Sequence, residues 1–82
     1  MSTPDESAHK VLVVEDDRTV RLLVKKILES KGFNVCSAGT PTEALQMCED
    51  RDREISVLLT DLVMPEMSGY ELMRRVEAIR PE

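Results

Sequence analysis

Three short apolar runs alternate with three longer amphipathic stretches along this chain. The first run, Val11-Leu12-Val13-Val14, follows Lys10 and is continuous rather than alternating. That is the pattern of a parallel strand buried on both faces. The next stretch places Val20, Leu23, Val24, Ile27 and Leu28 at helical spacing, with Arg21, Lys25, Lys26 and Glu29 between them, which predicts a helix with one apolar stripe. Asp17 stands where a helix is capped, and Gly32 where one stops. Phe33-Asn34-Val35-Cys36-Ser37 reads as a shorter, less apolar strand, as expected at a sheet edge. Thr40-Pro41-Thr42-Glu43 is a capping box with proline at the first helical position. Ala44, Leu45 and Cys48 give that helix its buried side, and the polar run from Glu49 to Glu54 ends it. Ile55 to Thr60 predicts the third strand. Ser68-Gly69-Tyr70-Glu71 is a second capping box, Leu72, Val76 and Ile79 form the stripe of a third helix, and Pro81 stops it.

The order β-α-β-α-β-α, joined by right-handed crossovers, predicts an α/β fold with one parallel sheet. Residues 1–8 are polar and contain Pro4, so they read as a disordered N-terminal tail ahead of one domain over residues 9–82. Phe33 and Tyr70 are the chain's two aromatic residues, so the core has to be aliphatic. The formal net charge is -5, without a basic stripe, which argues against nucleic acid as a direct partner. No apolar run is long enough to span a bilayer, and the first residues lack the basic and apolar regions of a signal peptide. A cytoplasmic protein with no membrane partner is expected. Cys36, Cys48 and His9 lack metal-ligand spacing. They read as reduced cysteines and a solvated histidine flanking the first strand.

Chemistry enters through the acids. The first and third strands are the most apolar, so they are expected side by side at the sheet centre. Their carboxyl ends, where open parallel sheets bind ligands, then bring Glu15, Asp16 and Asp61 into one crevice. Three carboxylates there repel one another unless a cation is bound. A hard divalent ion with oxygen ligands resolves this, and Mg²⁺ is the natural choice. The plainer reading gives each acid a separate role: Asp17 as helix cap, Glu15 in solvent, Asp61 in a turn. A metal-bound carboxylate can also attack phosphorus to give an aspartyl phosphate. Asp61, alone between Thr60 and Leu62, is the better nucleophile; Glu15 and Asp16 are better ligands, direct or through water.

Val13-Val14-Glu15-Asp16-Asp17, together with Leu59-Thr60-Asp61-Leu62-Val63-Met64-Pro65 and Ser68-Gly69-Tyr70-Glu71-Leu72, resembles the receiver domain of bacterial response regulators. The resemblance runs from Lys10 to Ile79. It implies a flavodoxin-like, doubly wound parallel sheet, here with three strands in the order 2-1-3 and three helices. It implies a two-component signalling module rather than an enzyme. Asp61 would accept phosphate from a histidine kinase or phosphotransfer protein. Glu15, Asp16, Asp61 and the Val63 carbonyl would hold Mg²⁺. Met64-Pro65 and Gly69 would shape the loop into the third helix.

The family pattern continues with two more strands and helices, which supply a Ser or Thr and a Lys to the phosphoryl site. The sequence ends at Glu82, so the expectation is a partial receiver with weakened phosphate acceptance and an impaired switch. Its third strand would form a sheet edge without proline or lysine, and apolar side chains of strands one and three would face water beside helix one. That predicts a homodimer joined at strand three, or alternatively through the helix-one faces. Other readings are a non-phosphorylated module that competes for kinase docking and, further off, a phosphohydrolase of the haloacid-dehalogenase type. For the latter, Glu15 in Glu15-Asp16-Asp17-Arg18-Thr19 stands where an Asp is needed. A nucleotide-binding role is weaker still, because acids rather than a glycine-rich loop follow the first strand.

Overall fold

The computed structural model describes residues 10–50 and 55–79. Three strands, β1 (Lys10–Val14), β2 (Asn34–Ala38) and β3 (Ile55–Thr60), alternate with α1 (Arg18–Ser30), α2 (Pro41–Glu49) and α3 (Gly69–Ile79). The strands form one sheet in the order β2-β1-β3, and both pairings are parallel. The expected architecture is therefore observed. The expected tail, and Pro81 as a helix stop, lie outside the described residues. Among those residues no helix is long and apolar enough to cross a membrane.

β1 occupies the centre because its residues are apolar on both faces. Leu12 and Val14 join Ala38, Ala44, Cys48, Met64 and Leu72 in the core beneath α2 and α3. Val11 and Val13 point to the opposite side, and both are buried. β2 sits one residue later than expected: Ala38, not Phe33, completes the strand, in register with Val14. The reason is the end of α1. Phe33 N–H bonds to the Leu28 carbonyl at 3.2 Å and Gly32 N–H to the Glu29 carbonyl at 3.0 Å. This is the double bond of a Schellman turn, with Gly32 at φ +95°, and it holds Phe33 to the helix.

The helix starts follow the sequence with two changes. The Asp17 side chain accepts from Thr19 N–H at 2.9 Å and Val20 N–H at 3.2 Å. The Thr40 hydroxyl accepts from Glu43 N–H at 3.1 Å, but the Glu43 carboxylate reaches Gly39 N–H at 2.7 Å, one residue before the cap. The Ser68 hydroxyl accepts from Glu71 N–H at 3.0 Å, while the Glu71 carboxylate pairs with Arg75 at 3.0 Å.

The face beside α1 differs from expectation. No α1 residue is buried. Val24 and Leu28 are half-buried, whereas Val20, Leu23 and Ile27 are exposed. α1 leans on β1 and β2, so only one edge of its stripe meets the sheet. Val11 and Val13 of strand one are thereby covered, against expectation. Val57 and Leu59 of β3 remain 46 % exposed, as anticipated for strand three.

Candidate functional site

Two strand ends build the site. The Glu15 amide donates to the Ala38 carbonyl at 3.1 Å, and the Asp61 amide to the Val14 carbonyl at 3.4 Å. The sheet ladder thus runs on to the acids themselves and carries Glu15 and Asp61 to one edge. One carboxylate oxygen from each of Glu15, Asp16 and Asp61 lies within 4.8 Å of the other two. Asp16 is exposed, and its neighbour Asp17 is spent on the α1 cap. Glu15 faces inward and accepts the Asp17 N–H at 3.0 Å. Asp17 thus caps α1 as expected, while Asp16 lies with the acidic cluster.

The donor set decides what such a site can hold. Three carboxylates, with no histidine or thiol in the cluster, suit a hard cation that takes oxygen ligands, Mg²⁺ among them. Zinc favours nitrogen and sulfur, which the cluster lacks. Val63 lies two residues beyond Asp61 in the connecting loop and is exposed; its hydrocarbon side chain carries no ligand atom, so only its backbone carbonyl could serve the role expected of it.

The loop between β3 and α3 is pinned at several points. Met64 is buried in the core. The Thr60 hydroxyl donates to the Asp61 carbonyl at 3.1 Å. Gly69 N–H donates to the Leu62 carbonyl at 2.9 Å. Glu66 reaches across to α2, where one carboxylate oxygen accepts from the Thr42 hydroxyl at 2.7 Å and the Thr42 amide at 3.3 Å. An anion at a helix start is favoured by the helix dipole. No sequence pattern announces this 24-residue contact.

The apolar cleft of about 200 Å³ beside α1 ends at these acids; Val13, Val20, Val24 and Leu59 line it together with Glu15 and Asp61.

The site predicts an asymmetry between adjacent acids. Asp16→Asn removes one of the three clustered carboxylates and is expected to weaken Mg²⁺ binding about tenfold, the scale of one lost charge-assisted contact. Asp17→Asn leaves the cluster intact and keeps a good cap, so it is expected to change affinity little. Calorimetric Mg²⁺ titration of the two variants checks this, and the reverse order would move the ligand pair along by one residue.

Comparison with known proteins gives a consistent result. The family model of the response regulator receiver domain matches residues 11–82. The chain is 38 % identical over 73 residues to the response regulator receiver protein CpdR of Brucella abortus, an alignment that covers 89 % of this chain and 59 % of that protein. It is 38 % identical over 72 residues to the sensor kinase CckA of the same organism, covering 88 % of this chain and 8 % of that protein. Among solved structures, a receiver domain protein from Clostridium thermocellum superposes with a TM-score of 0.83 at 34 % identity, covering 89 % of this chain and 58 % of that one. The chain thus spans about three fifths of CpdR and of the Clostridium thermocellum protein, and a small part of CckA.

Proposed function

We propose that this chain, which belongs to the response regulator receiver domain family, accepts a phosphoryl group on Asp61. Receiver domains are signalling modules of two-component systems, and they work with histidine kinases and phosphotransfer proteins. They hold Mg²⁺ in an acidic pocket, and this chain has a cluster of that kind in Glu15, Asp16 and Asp61. The donor is a phosphohistidine of such a kinase or phosphotransfer protein in the cytoplasm. An Asp61 carboxylate oxygen forms the new bond to phosphorus, the bond from phosphorus to the donor imidazole breaks, and the imidazole leaves with the electron pair. Glu15, Asp16 and Asp61, with the Val63 carbonyl, would hold Mg²⁺, which would supply positive charge to the transferring oxygens.

The observation that supports this most is the convergence of three carboxylates from two strand ends within 4.8 Å. Oxygen donors so close suit a hard cation, and a cation there would make the strand-end carboxylate a usable acceptor. The test is intact-mass measurement after treatment with a small acyl phosphate. One phosphoryl group per chain is expected with Mg²⁺ and none with a chelator. No gain in either condition would leave a module that binds a kinase without accepting phosphate.

A second reading concerns assembly. Among the described residues the outer edge of β3 pairs with no strand. Residues Ile55 to Thr60 contain no proline or charged side chain that would protect an edge. Both faces beside that edge are open. Val57 and Leu59 are exposed on the α1 side. On the α3 side, Ile55, Leu58, Met73 and Val76 help to line a cleft of about 180 Å³. A strand added at the edge reaches both faces at once, and a second copy of β3 carries the required alternation, Val57 and Leu59 to one side and Leu58 to the other. A two-fold homodimer with a continuous sheet is therefore proposed. Sedimentation over a concentration series is expected to show a dimer that Leu59→Lys converts to monomer. A compact wild-type monomer with a sharp thermal transition at the highest concentration would overturn it.

A further inference from the structure

The geometry points to Arg21 and Gly39 as a bracket that positions the metal-ligand pair Glu15-Asp16. Arg21 lies on α1, one turn past the Asp17 cap. Arg21 is half-buried and donates from Nη1 to the Glu15 backbone carbonyl at 2.8 Å. The Glu15 N–H is already held by the Ala38 carbonyl at 3.1 Å. The peptide groups on both sides of Glu15 are therefore fixed, one by the sheet and one by Arg21. Between them the side chain has little choice but to face the crevice.

The seat of the guanidinium is Gly39, at the end of β2. A Cβ there would lie 3.0 Å from Arg21 Nη1 and 3.5 Å from Cζ. The guanidinium thus lies where a side chain at position 39 would crowd it: a Cβ alone asks it to give by a few tenths of an ångström, and a branched side chain such as valine adds bulk that competes with its seat at the Glu15 carbonyl. Gly39 is held in turn, because its N–H donates to Glu43 Oε1 at 2.7 Å on α2. One arginine therefore ties α1, the β1 end and the β2 end together directly behind the acids.

The role is positional, since Arg21 meets the acidic turn through the Glu15 backbone carbonyl. It predicts a sign that simple electrostatics reverses. A cation removed from the neighbourhood of a Mg²⁺ site should tighten Mg²⁺ binding by Coulomb attraction alone. If Arg21 acts by holding Glu15-Asp16 in place, its loss should weaken binding. Outer contacts that orient metal ligands are typically worth about 10- to 100-fold in affinity.

This inference rests on the metal reading above, and the experiment separates the two. Calorimetric Mg²⁺ titrations compare the wild type with Arg21→Gln, Arg21→Lys, Gly39→Val and the Arg21→Gln/Gly39→Val pair, with thermal melts of each. Arg21→Gln is expected to weaken Mg²⁺ about tenfold. Arg21→Lys should fall between it and wild type, because it keeps the charge and loses the fork. Gly39→Val should match Arg21→Gln, and the double variant should be no weaker than either single change, because both break one contact. A wild type that binds no Mg²⁺ overturns both readings. Normal wild-type binding with unchanged or tighter binding in Arg21→Gln overturns the bracket alone. So do additive losses in the double variant, or melting temperatures that fall while affinity holds.

Discussion

Asp61→Asn is expected to reduce phosphoryl incorporation to background while leaving the fold intact. The substitution keeps the shape of the side chain and removes its charge. An amide oxygen is a far poorer nucleophile toward phosphorus than a carboxylate, and the amide cannot yield a stable acyl phosphate at that position. The backbone contact that fixes residue 61, its N–H to the Val14 carbonyl, does not depend on the side chain. One of three mutually repelling charges is also removed, so the melting temperature should hold or rise slightly. Loss of incorporation without loss of stability assigns the effect to chemistry rather than folding. Asp16→Asn is the informative partner. It leaves the acceptor in place, so its incorporation should be slow but recoverable at high Mg²⁺. Intact mass with and without hydroxylamine, which cleaves acyl phosphates, reads both variants. Equal incorporation in wild type and Asp61→Asn would remove Asp61 from the mechanism and return attention to Glu15 and Asp16.

How much of this was legible beforehand varies with the kind of contact. Val11-Leu12-Val13-Val14 announced a central strand because burial on both faces requires unbroken apolarity, and all four are buried. Asp17 was readable as a cap because capping is local: its acceptor reaches N–H groups two and three residues on. The meeting of Glu15, Asp16 and Asp61 followed from two apolar strands sharing a centre. The orientation of α1 was not legible. Its apolar arc from Val20 to Leu28 is wider than the strip a sheet can cover. Which part is buried depends on where the helix sits over β1 and β2, and the structure chooses Val24 and Leu28.

Helical spacing places Arg21 on the wet side of α1 for a related reason. Periodicity sees charge, but not a guanidinium folded back onto a backbone carbonyl. The link from Glu66 to Thr42 was invisible on the same principle, since it joins residues far apart in sequence through one carboxylate. In the sequence Gly69 shows only turn chemistry. Its larger constraint comes from the Asp61–Leu62 backbone lying against it.

That constraint makes Gly69→Ala the sharpest test of how the site is held. Gly69 is the first residue of α3 and is buried. A Cβ at this position would overlap the Asp61 carbonyl oxygen and approach the Leu62 Cα to 3.1 Å. Both neighbours are backbone, so no flexible side-chain tip can swing aside. Either α3 or the strand end that carries Asp61 must move. Helix propensity pulls the other way, since Ala is favoured over Gly by up to about 1 kcal/mol inside a helix and by less at its first residue. Overpacking of this kind costs about 1–3 kcal/mol, at the upper end where backbone must shift. The steric effect therefore wins, and a net loss of about 2 kcal/mol is expected. For a chain of this size that is a fall in melting temperature of roughly 8–16 °C. Ser68→Ala serves as the comparison. It removes the hydroxyl that accepts from Glu71 N–H, at about 1 kcal/mol, without touching Asp61. Both variants should melt earlier than wild type, but only Gly69→Ala should also slow phosphoryl incorporation under conditions where it is still folded, because only it displaces the acceptor. A Gly69→Ala protein that melts higher than wild type would mean that helix propensity governs this position and that the strand end yields without cost.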